Sequence, residues 1–180
     1  MHLLQNPTQR LKAGDKTVLK ELFEAHYEQV CAAIYRLIGN RATTEDLAQQ
    51  VFIRLWEKRN TIEIVTSPGA YLHRMAINEA LACLRSKKNT PFSEITGSTP
   101  FAPQRDAGQS YLYGELEEQI RQAVDALPPR CRAVFVLSRF EEKSYREIAQ
   151  ELGISKKTVE HQMGKALRVL REKLKPYLYG

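Results

Sequence analysis

Cysteine, histidine and long apolar runs are scarce in this 180-residue chain, and each shortage excludes a class of function. Three widely spaced cysteines, Cys31, Cys83 and Cys131, lie among apolar helical positions, which excludes a disulfide framework and predicts buried reduced thiols. Four histidines share no ligand spacing, so we expect no metal site. No apolar run approaches the ~18 residues of a membrane span, and the first residues lack the apolar core of a signal peptide. We therefore expect a cytoplasmic protein without membrane insertion.

Enzyme motifs are missing too. The sequence has no phosphate-binding P-loop and no recognisable nucleophile with its base, so we expect no enzyme activity, no cofactor and no small-molecule substrate. Positive charge is in excess, with 27 Lys and Arg against 21 Asp and Glu, a formal net charge of +6. This balance suits a polyanionic partner.

The most informative stretch is residues 144–174. Ser144 followed by Glu147 predicts a capping box and a helix from Tyr145. Gly153 is placed to end that helix in a left-handed conformation, and Ser155 to cap the next one. Two helices joined by three residues predict a helix-turn-helix.

Apolar residues at three- and four-residue intervals define the buried face of the second of these helices. They are Val159, Met163, Ala166, Leu167, Leu170 and Leu174. The outward face then holds Lys156, Lys157, Glu160, His161, Lys165 and Arg168. A solvated amphipathic helix is the alternative, but the turn, the caps and the cationic helix N-terminus together favour DNA binding.

Residues 16–88 show helical periodicity almost throughout. We expect a long helix ending near Gly39, then a second capped by Thr43 or Thr44. The predicted inner face of the second helix is Leu47, Val51, Phe52, Leu55 and Trp56, and its outer face is Asp46, Gln49, Gln50 and Ile53. Residues 59–67 form a loop, and a third helix begins at Ser67-Pro68 and runs to about Lys88.

Proline and glycine are concentrated between residues 89 and 114, which predicts a flexible linker. A four-helix unit should follow, starting with a helix whose apolar face is Leu116, Ile120, Ala123, Val124 and Leu127. The predicted fold class is all-α. Two small helical domains, residues 1–90 and 115–180, are joined by a linker at 91–114, and the second domain holds the helix-turn-helix.

Three stretches carry a family resemblance: TTEDLAQQVFIRLWEKR, then SPGAYLHRMAINEALACLRSKK, then LPPRCRAVFVLSRFEEKSYREIAQELGISKKTVEHQMGKALRVL. In this order they resemble the extracytoplasmic-function (ECF) sigma factors of bacterial RNA polymerase, across residues 16–176. The resemblance implies an alternative sigma factor that binds core RNA polymerase and directs promoter recognition, strand opening and transcription initiation. It also implies promoter DNA and an anti-sigma factor as partners. The SPGAYL and TVEHQM segments are most similar to the iron-citrate-type branch.

The resemblance also implies roles for individual residues. Core polymerase binding falls to Asp46, Gln49 and Gln50, with Phe52 adjacent, and Gln50 stands where many relatives have Glu. The minus-ten residues are Thr61, Glu63 and Thr66 in a specificity loop, then Arg74, Asn78, Arg85, Lys87 and Lys88, with Asn78 holding a flipped base. The minus-thirty-five residues are Arg146, Ser155, Lys156, Lys157, Thr158, Glu160, His161, Lys165 and Arg168.

Two alternatives stay open at this level. The helix-turn-helix segment also resembles the DNA-binding end of dimeric transcription regulators, which would here carry a helical N-terminal lobe. A basic helical adaptor that binds RNA or protein without promoter selectivity is the other. Binding to core polymerase distinguishes all three.

Overall fold

This computed structural model describes residues 6–89 and 111–178, and helices form all the regular structure in them. The side chains of residues 88, 89, 111–113 and 178 lie outside that description. The described part contains eight helices and no strand, which confirms the predicted all-α class with two helical domains. The chain divides into two units between residues 99 and 100. Most of the predicted linker falls outside the described residues, and a helix already begins at Tyr111, inside the stretch predicted as linker.

The first unit contains four helices: α1 (Pro7–Lys12), α2 (Lys16–Ile38), α3 (Arg41–Glu57) and α4 (Pro68–Asn89). Helix α1 was not predicted, because six residues are too few to show a helical period. The Asn6 side chain caps it by accepting from the Thr8 N–H at 3.0 Å, and Leu11 is completely buried. Arg10 donates to Asp15 at 2.9 Å and to Glu21 at 2.8 Å, which ties α1 to α2.

Helix α3 is capped three or four residues earlier than predicted. Gly39 ends α2 at a φ of 70°, in the left-handed region as expected. Asn40, rather than Thr43 or Thr44, then caps α3, because the extended backbone at Asn40 places its side chain to accept from the Thr43 N–H at 2.9 Å. Thr44 is buried and donates its hydroxyl to the Asn40 carbonyl at 2.8 Å.

Helices α2, α3 and α4 pack against one another around an apolar core. Its fully buried members include Ile34, Leu37, Ala48, Val51, Leu55, Leu72, Ala76, Ile77 and Ala80. Trp56, which was predicted to belong to the core, is only half-buried, and the Arg59 guanidinium lies 4.5 Å from its ring centroid in a cation–π contact. Cys31 and Cys83 are half-buried rather than buried as predicted.

The second unit contains α5 (Tyr111–Asp125), α6 (Pro129–Arg139), α7 (Tyr145–Leu152) and α8 (Lys156–Leu178). Helix α8 is its centre, since α5, α6 and α7 all pack against it. The core includes Ala123, Val124, Leu127, Cys131, Val134, Leu137, Ile148, Val159, Met163, Ala166 and Leu170. Leu116, Ile120 and Leu167, predicted as buried, are 41%, 38% and 37% exposed, because burial in α5 is confined to its C-terminal end and Leu167 lies at the edge of the buried stripe of α8.

A buried arginine joins α5 to α6. Arg132 donates to the backbone carbonyl of Asp125, and its Nη1 lies 3.6 Å from the carboxylate of the same residue. Burial lowers the pKa of Arg132 and raises the pKa of Asp125. The sequence pattern predicted only an apolar helix here, so this ion pair is an addition to the predicted core.

The turn between α6 and α7 holds Glu142 at a φ of 53°, a conformation that costs an L-residue about 1 kcal/mol relative to glycine. Replacing Glu142 with Gly should therefore stabilise the second unit by about 1 kcal/mol and raise its melting temperature by roughly 4–8 °C. Thermal unfolding followed by circular dichroism measures the shift.

Glu172→Gly is the matched control. Glu172 is exposed within α8, and the variant makes the same Glu-to-Gly change at that position. It should destabilise by about 1 kcal/mol, because glycine disfavours a helix interior. A melting temperature lowered in both variants would contradict the proposed strain at Glu142.

Candidate functional site

Local hydrogen bonds define both helices of the helix-turn-helix. The Glu147 N–H donates to the Ser144 hydroxyl at 3.3 Å and the Ser144 N–H donates to the Glu147 carboxylate at 2.8 Å, which completes the capping box. Gly153 ends α7 at a φ of 63°. Ser155 accepts from the Thr158 N–H at 3.0 Å and so caps α8. The helix boundaries predicted from the sequence are confirmed.

Two tertiary contacts that the sequence did not predict fix these helices in place. The Lys143 ammonium binds the Glu151 carboxylate and lies 3.4 Å from Glu141, which ties the start of the motif to the end of α7. The Cys131 thiol donates to the Gln162 side chain at 2.8 Å, and burial raises the pKa of that thiol, which keeps its proton available for the bond. Helices α6 and α8 are thereby joined by a polar contact within their interface.

The outer face of α8 carries a row of exposed polar and cationic side chains. Lys157, His161, Lys165 and Arg168 recur at intervals of four, four and three residues, which places them on one side of the helix. Lys156 and Glu160 are exposed beside them and lie 3.8 Å apart. Arg146 is exposed on the first turn of α7. Phosphates and base edges are the groups that such a row contacts in duplex DNA.

Ser155 and Thr158, also predicted to bind DNA, have a structural role in this arrangement. Their hydroxyls share a hydrogen bond of 2.8 Å, and Ser155 also accepts the capping bond. Both therefore support the start of α8, close to the predicted base-contacting lysines.

A second basic surface lies on the outer face of α4. Arg74, Asn78 and Arg85 are exposed at spacings that place them on one side of the helix. Arg85 donates to the carbonyl of Leu81 at 3.2 Å and so lies along its own helix. Lys87 is exposed, whereas the side chain of Lys88 lies outside the described residues.

The loop that precedes α4 is anchored by one buried side chain. Ile62 is 4% exposed, and the Thr61 hydroxyl donates to the Lys58 carbonyl at 3.0 Å. The predicted residues Glu63 and Thr66 are exposed. Val65 lies within the predicted loop and is 90% exposed, although it was not among the loop residues named as DNA contacts.

The end of this loop is defined by a helix cap and a close contact. Ser67 accepts from the Ala70 N–H at 3.2 Å, which confirms the predicted start of α4. Gly69 lies against the His26 ring of α2, where an added Cβ would come within 3.0 Å of the imidazole. The first turn of α4 therefore sits close against α2.

The outer face of α3 holds the predicted polymerase-binding residues Asp46, Gln49 and Gln50, all exposed. Ile53 extends this face with a side chain that is 46% exposed. Phe52 does not fit the role predicted for it, because it is 5% exposed and packs edge-on against Phe23 with ring centroids 4.9 Å apart. It supports α3 from the inner side instead, and Phe23, at 39% exposure, is the aromatic residue that reaches the surface.

An ion pair connects α3 with α4. Glu79 is 8% exposed, and its carboxylate accepts a hydrogen bond from the Arg54 guanidinium. This pair was not predicted from the sequence. The signal was an acidic residue within the apolar face of α4.

Neither a metal-binding cluster nor a membrane-spanning helix is present in residues 6–89 and 111–178. No group of three or more His, Cys, Asp or Glu side chains there is arranged to hold a metal ion. No helix within those ranges is both long enough and apolar enough to cross a bilayer.

The capping box predicts how stability depends on pH. Hydrogen bonds from the Ser144 hydroxyl and then from its N–H lower the pKa of Glu147. A carboxylate whose pKa is lower in the folded than in the unfolded protein stabilises the fold at pH values above its unfolded pKa. This stabilisation is lost as the pH falls through the pKa of the folded protein. The melting temperature of Glu147→Gln should therefore lie furthest below that of the unmodified chain near neutral pH, and the difference should shrink between about pH 5 and pH 3.

Thermal unfolding across this pH range measures the effect. Ser144→Ala is the companion variant, because it removes the largest cause of the lowered pKa and should reduce the same pH dependence. A difference between Glu147→Gln and the unmodified chain that stays constant down to about pH 3 would rule out the capping bond as its source.

Comparisons with known proteins agree with this geometry. Residues 22–90 match the family model for sigma-70 region 2, and residues 117–170 match that for sigma-70 region 4. The chain is 31% identical over 166 residues to the ECF RNA polymerase sigma factor SigE of Mycolicibacterium smegmatis, which covers 89% of this chain and 64% of that protein. It is 26% identical over 182 residues to SigW of Bacillus subtilis, covering 96% and 97%.

A solved structure shows the same fold. The sigma factor RpoE of Bartonella quintana, in complex with the anti-sigma factor NepR, matches with a TM-score of 0.62 at 21% identity, over 87% of this chain and 96% of that one. The region 2 match covers α3 and α4, and the region 4 match covers α7 and most of α8. The chain therefore belongs to the sigma-70 family of RNA polymerase sigma factors, within the ECF group.

Proposed function

We propose that this chain is an alternative sigma factor that binds core RNA polymerase and directs promoter recognition, strand opening and transcription initiation. The observation that carries the proposal is the presence of both sigma-70 regions in one chain, each with an exposed basic helix face. One region alone would fit many DNA-binding proteins, whereas a polymerase subunit that opens promoters needs both duplex and single-strand contacts.

Helix α8 would read the minus-thirty-five element as duplex DNA. A helix fits the major groove, and α7 with its turn presents the N-terminal half of α8, as helix-turn-helix proteins do. Lys157, His161 and Lys165 would meet base edges and phosphates, and Arg146 would hold a phosphate from α7. The exposed cations make this contact strongly dependent on salt.

Helix α4 and its preceding loop would hold the minus-ten element as a single strand. Unstacking DNA costs about 1.4 kcal/mol per base-pair step, so opening needs contacts that exist only with the separated strand. The Asn78 amide both donates and accepts, which suits the edge of a flipped base. Arg74 and Lys87 would neutralise phosphates beside it, and the loop from Thr61 to Thr66 would surround the base.

The outer face of α3 would dock on core polymerase. Asp46, Gln49 and Gln50 offer one charge and two amides for specificity, and Ile53 adds apolar area. The solved relative is bound to an anti-sigma factor, and we infer that a protein of that kind regulates this chain by covering the same face. The Gln at position 50 lowers the charge of this face relative to many relatives.

Several further properties are part of the proposal. The chain would act by binding and strand selection in the cytoplasm, without enzyme activity, cofactor or small-molecule substrate. The SPGAYL start of α4 and the TVEHQM segment of α8 support placement in the iron-citrate-type branch. The dimeric-regulator alternative has less support, because residues 22–90 match sigma-70 region 2 rather than a sensor domain.

Association with core polymerase tests the proposal. The purified chain should co-migrate with bacterial core RNA polymerase on gel filtration and enable it to transcribe a genomic fragment library from selected start sites. The double variant Asp46→Ala/Gln49→Ala should lower core affinity about tenfold or more, because it removes a charged and an amide contact at the centre of the docking face.

Glu28→Ala/Gln29→Ala is the matched control, because it removes the same two functional groups from exposed positions on α2. Its core affinity should stay within about twofold of the unmodified chain. Unchanged affinity in Asp46→Ala/Gln49→Ala would overturn the docking assignment, and autonomous binding to palindromic DNA without core association would favour a dimeric regulator.

Charge reversal tests the role of α8. The probe is duplex DNA that carries the minus-thirty-five element of a promoter found in the genomic-library transcription experiment. Lys156→Glu/Lys157→Glu should abolish binding to this probe, because two cations at the groove become anions. Electrophoretic mobility shift at several salt concentrations measures the loss.

Lys173→Glu/Lys175→Glu provides the same change in charge about 26 Å further along α8. Both of these lysines are exposed. The control variant should keep sequence-selective binding, with at most a general weakening at low salt. Equal loss in both double variants would show that net charge, rather than the N-terminal half of α8, determines binding.

A further inference from the structure

Glu79 is an acidic residue within the buried face of α4. Around it, Leu72, Ala76, Ile77, Ala80 and Leu81 are all at most 7% exposed, and Glu79 itself is 8% exposed. Its carboxylate accepts a hydrogen bond from Arg54 of α3, whose side chain is 48% exposed. A buried carboxylate is costly unless such a partner compensates for the lost water.

This ion pair differs in kind from the packing around it. Apolar contact is not directional, and the small side chains of Ala76 and Ala80 restrain the rotation of α4 about its axis only weakly. A charge-assisted hydrogen bond is short and directional. The bond between Arg54 and Glu79 therefore adds a directional restraint to the angle at which α4 lies on α3.

That angle determines where Asn78 points. Asn78 precedes Glu79 and is exposed about 100° further round the helix. Side-chain ends lie roughly 5–6 Å from a helix axis, so a 20° rotation of α4 would move the Asn78 amide by about 2 Å. A hydrogen bond to a base does not survive a displacement of that size.

We propose that Glu79, held by Arg54, is a positioning residue that sets the rotation of α4 and thereby places Asn78 to capture a flipped promoter base. This role rests on the function proposed above. It also joins the two halves of that function, since Arg54 lies on α3 next to Ile53 of the docking face. A single ion pair then connects the polymerase-binding helix with the strand-capturing helix.

Opening kinetics of the holoenzyme test the role. The variants are Asn78→Ala, Glu79→Met, which keeps the side-chain volume but removes the acceptor, and the double variant Asn78→Ala/Glu79→Met. Closed-complex affinity is measured by mobility shift, and the opening rate by the fluorescence of 2-aminopurine in the minus-ten element. Glu79→Met should slow opening about tenfold while closed-complex affinity stays within about twofold.

Non-additivity is the decisive result. If Glu79 acts through Asn78, the double variant should open no more slowly than Asn78→Ala, within about twofold. Glu79→Gln should retain most of the opening rate, since its amide oxygen still accepts from Arg54. Effects that multiply in the double variant, or a Glu79→Met enzyme that opens normally, would overturn the inference.

A second pair of variants separates positioning from stability. Arg54→Met/Glu79→Met replaces the ion pair by apolar groups, which restores stability without restoring a directional bond. It should melt close to the unmodified chain and still open slowly, whereas normal opening would show a purely structural role. Glu21→Met, which removes a partner of Arg10 in the same unit, should leave opening unchanged.

Failure of the proposed function gives a different pattern. If the unmodified holoenzyme does not open the promoter, the sigma-factor function itself fails. If it opens but Asn78→Ala has no defect, base capture by Asn78 fails. In both cases the positioning role of Glu79 falls as well. In an otherwise working enzyme, that role alone is overturned by effects that multiply in the double variant Asn78→Ala/Glu79→Met, or by normal opening in Glu79→Met or in Arg54→Met/Glu79→Met.

Discussion

Every functional surface in this chain depends on the rotational phase of a helix, that is, on which side chains face the core. The buried stripe of α8 turns Lys157, His161 and Lys165 outward. In the same way, burial of the inner face of α3 leaves Asp46, Gln49 and Gln50 exposed, and burial of the inner face of α4 leaves Asn78 exposed. Side-chain caps reinforce this phase, because Asn40, Ser67 and Ser155 each fix the residue at which such a helix begins.

Because phase is encoded locally, much of the site could be predicted from the sequence. The capping box, Gly153 and the three- and four-residue spacing gave the helix-turn-helix with its exposed lysines. Longer-range packing could not be predicted in this way. The spacing placed Phe52 on the inner face of α3 but did not show that Phe23 and Tyr27 of α2 pack against it there, and it did not show that Leu116 and Ile120 of α5 stay exposed. The period of an isolated segment contains no information on which neighbour covers it.

Charged residues divide into two sets with different physical roles. Arg132 and Glu79 are buried and paired, so they position one helix against another, and the half-buried Lys143 ties the turn before α7 to the end of that helix. Lys157, Lys165 and Arg168 remain in water, where isolated surface charges contribute little to stability. Those exposed cations are available for DNA phosphates, whose neutralisation releases counterions. The net charge of +6 is therefore less informative than the location of each charge.

The two DNA surfaces place different demands on the fold. Duplex DNA offers many phosphates and base edges, so α8 gains binding from several contacts and tolerates a small error in any one of them. A flipped base offers one edge to one amide, and an error of about 2 Å in α4 would lose it. Apolar packing places α4 but contributes no directional bond to its rotation about its own axis. The ion pair between Arg54 of α3 and the buried Glu79 of α4 supplies a directional restraint at the residue next to Asn78, which is where the demand for positioning is greatest.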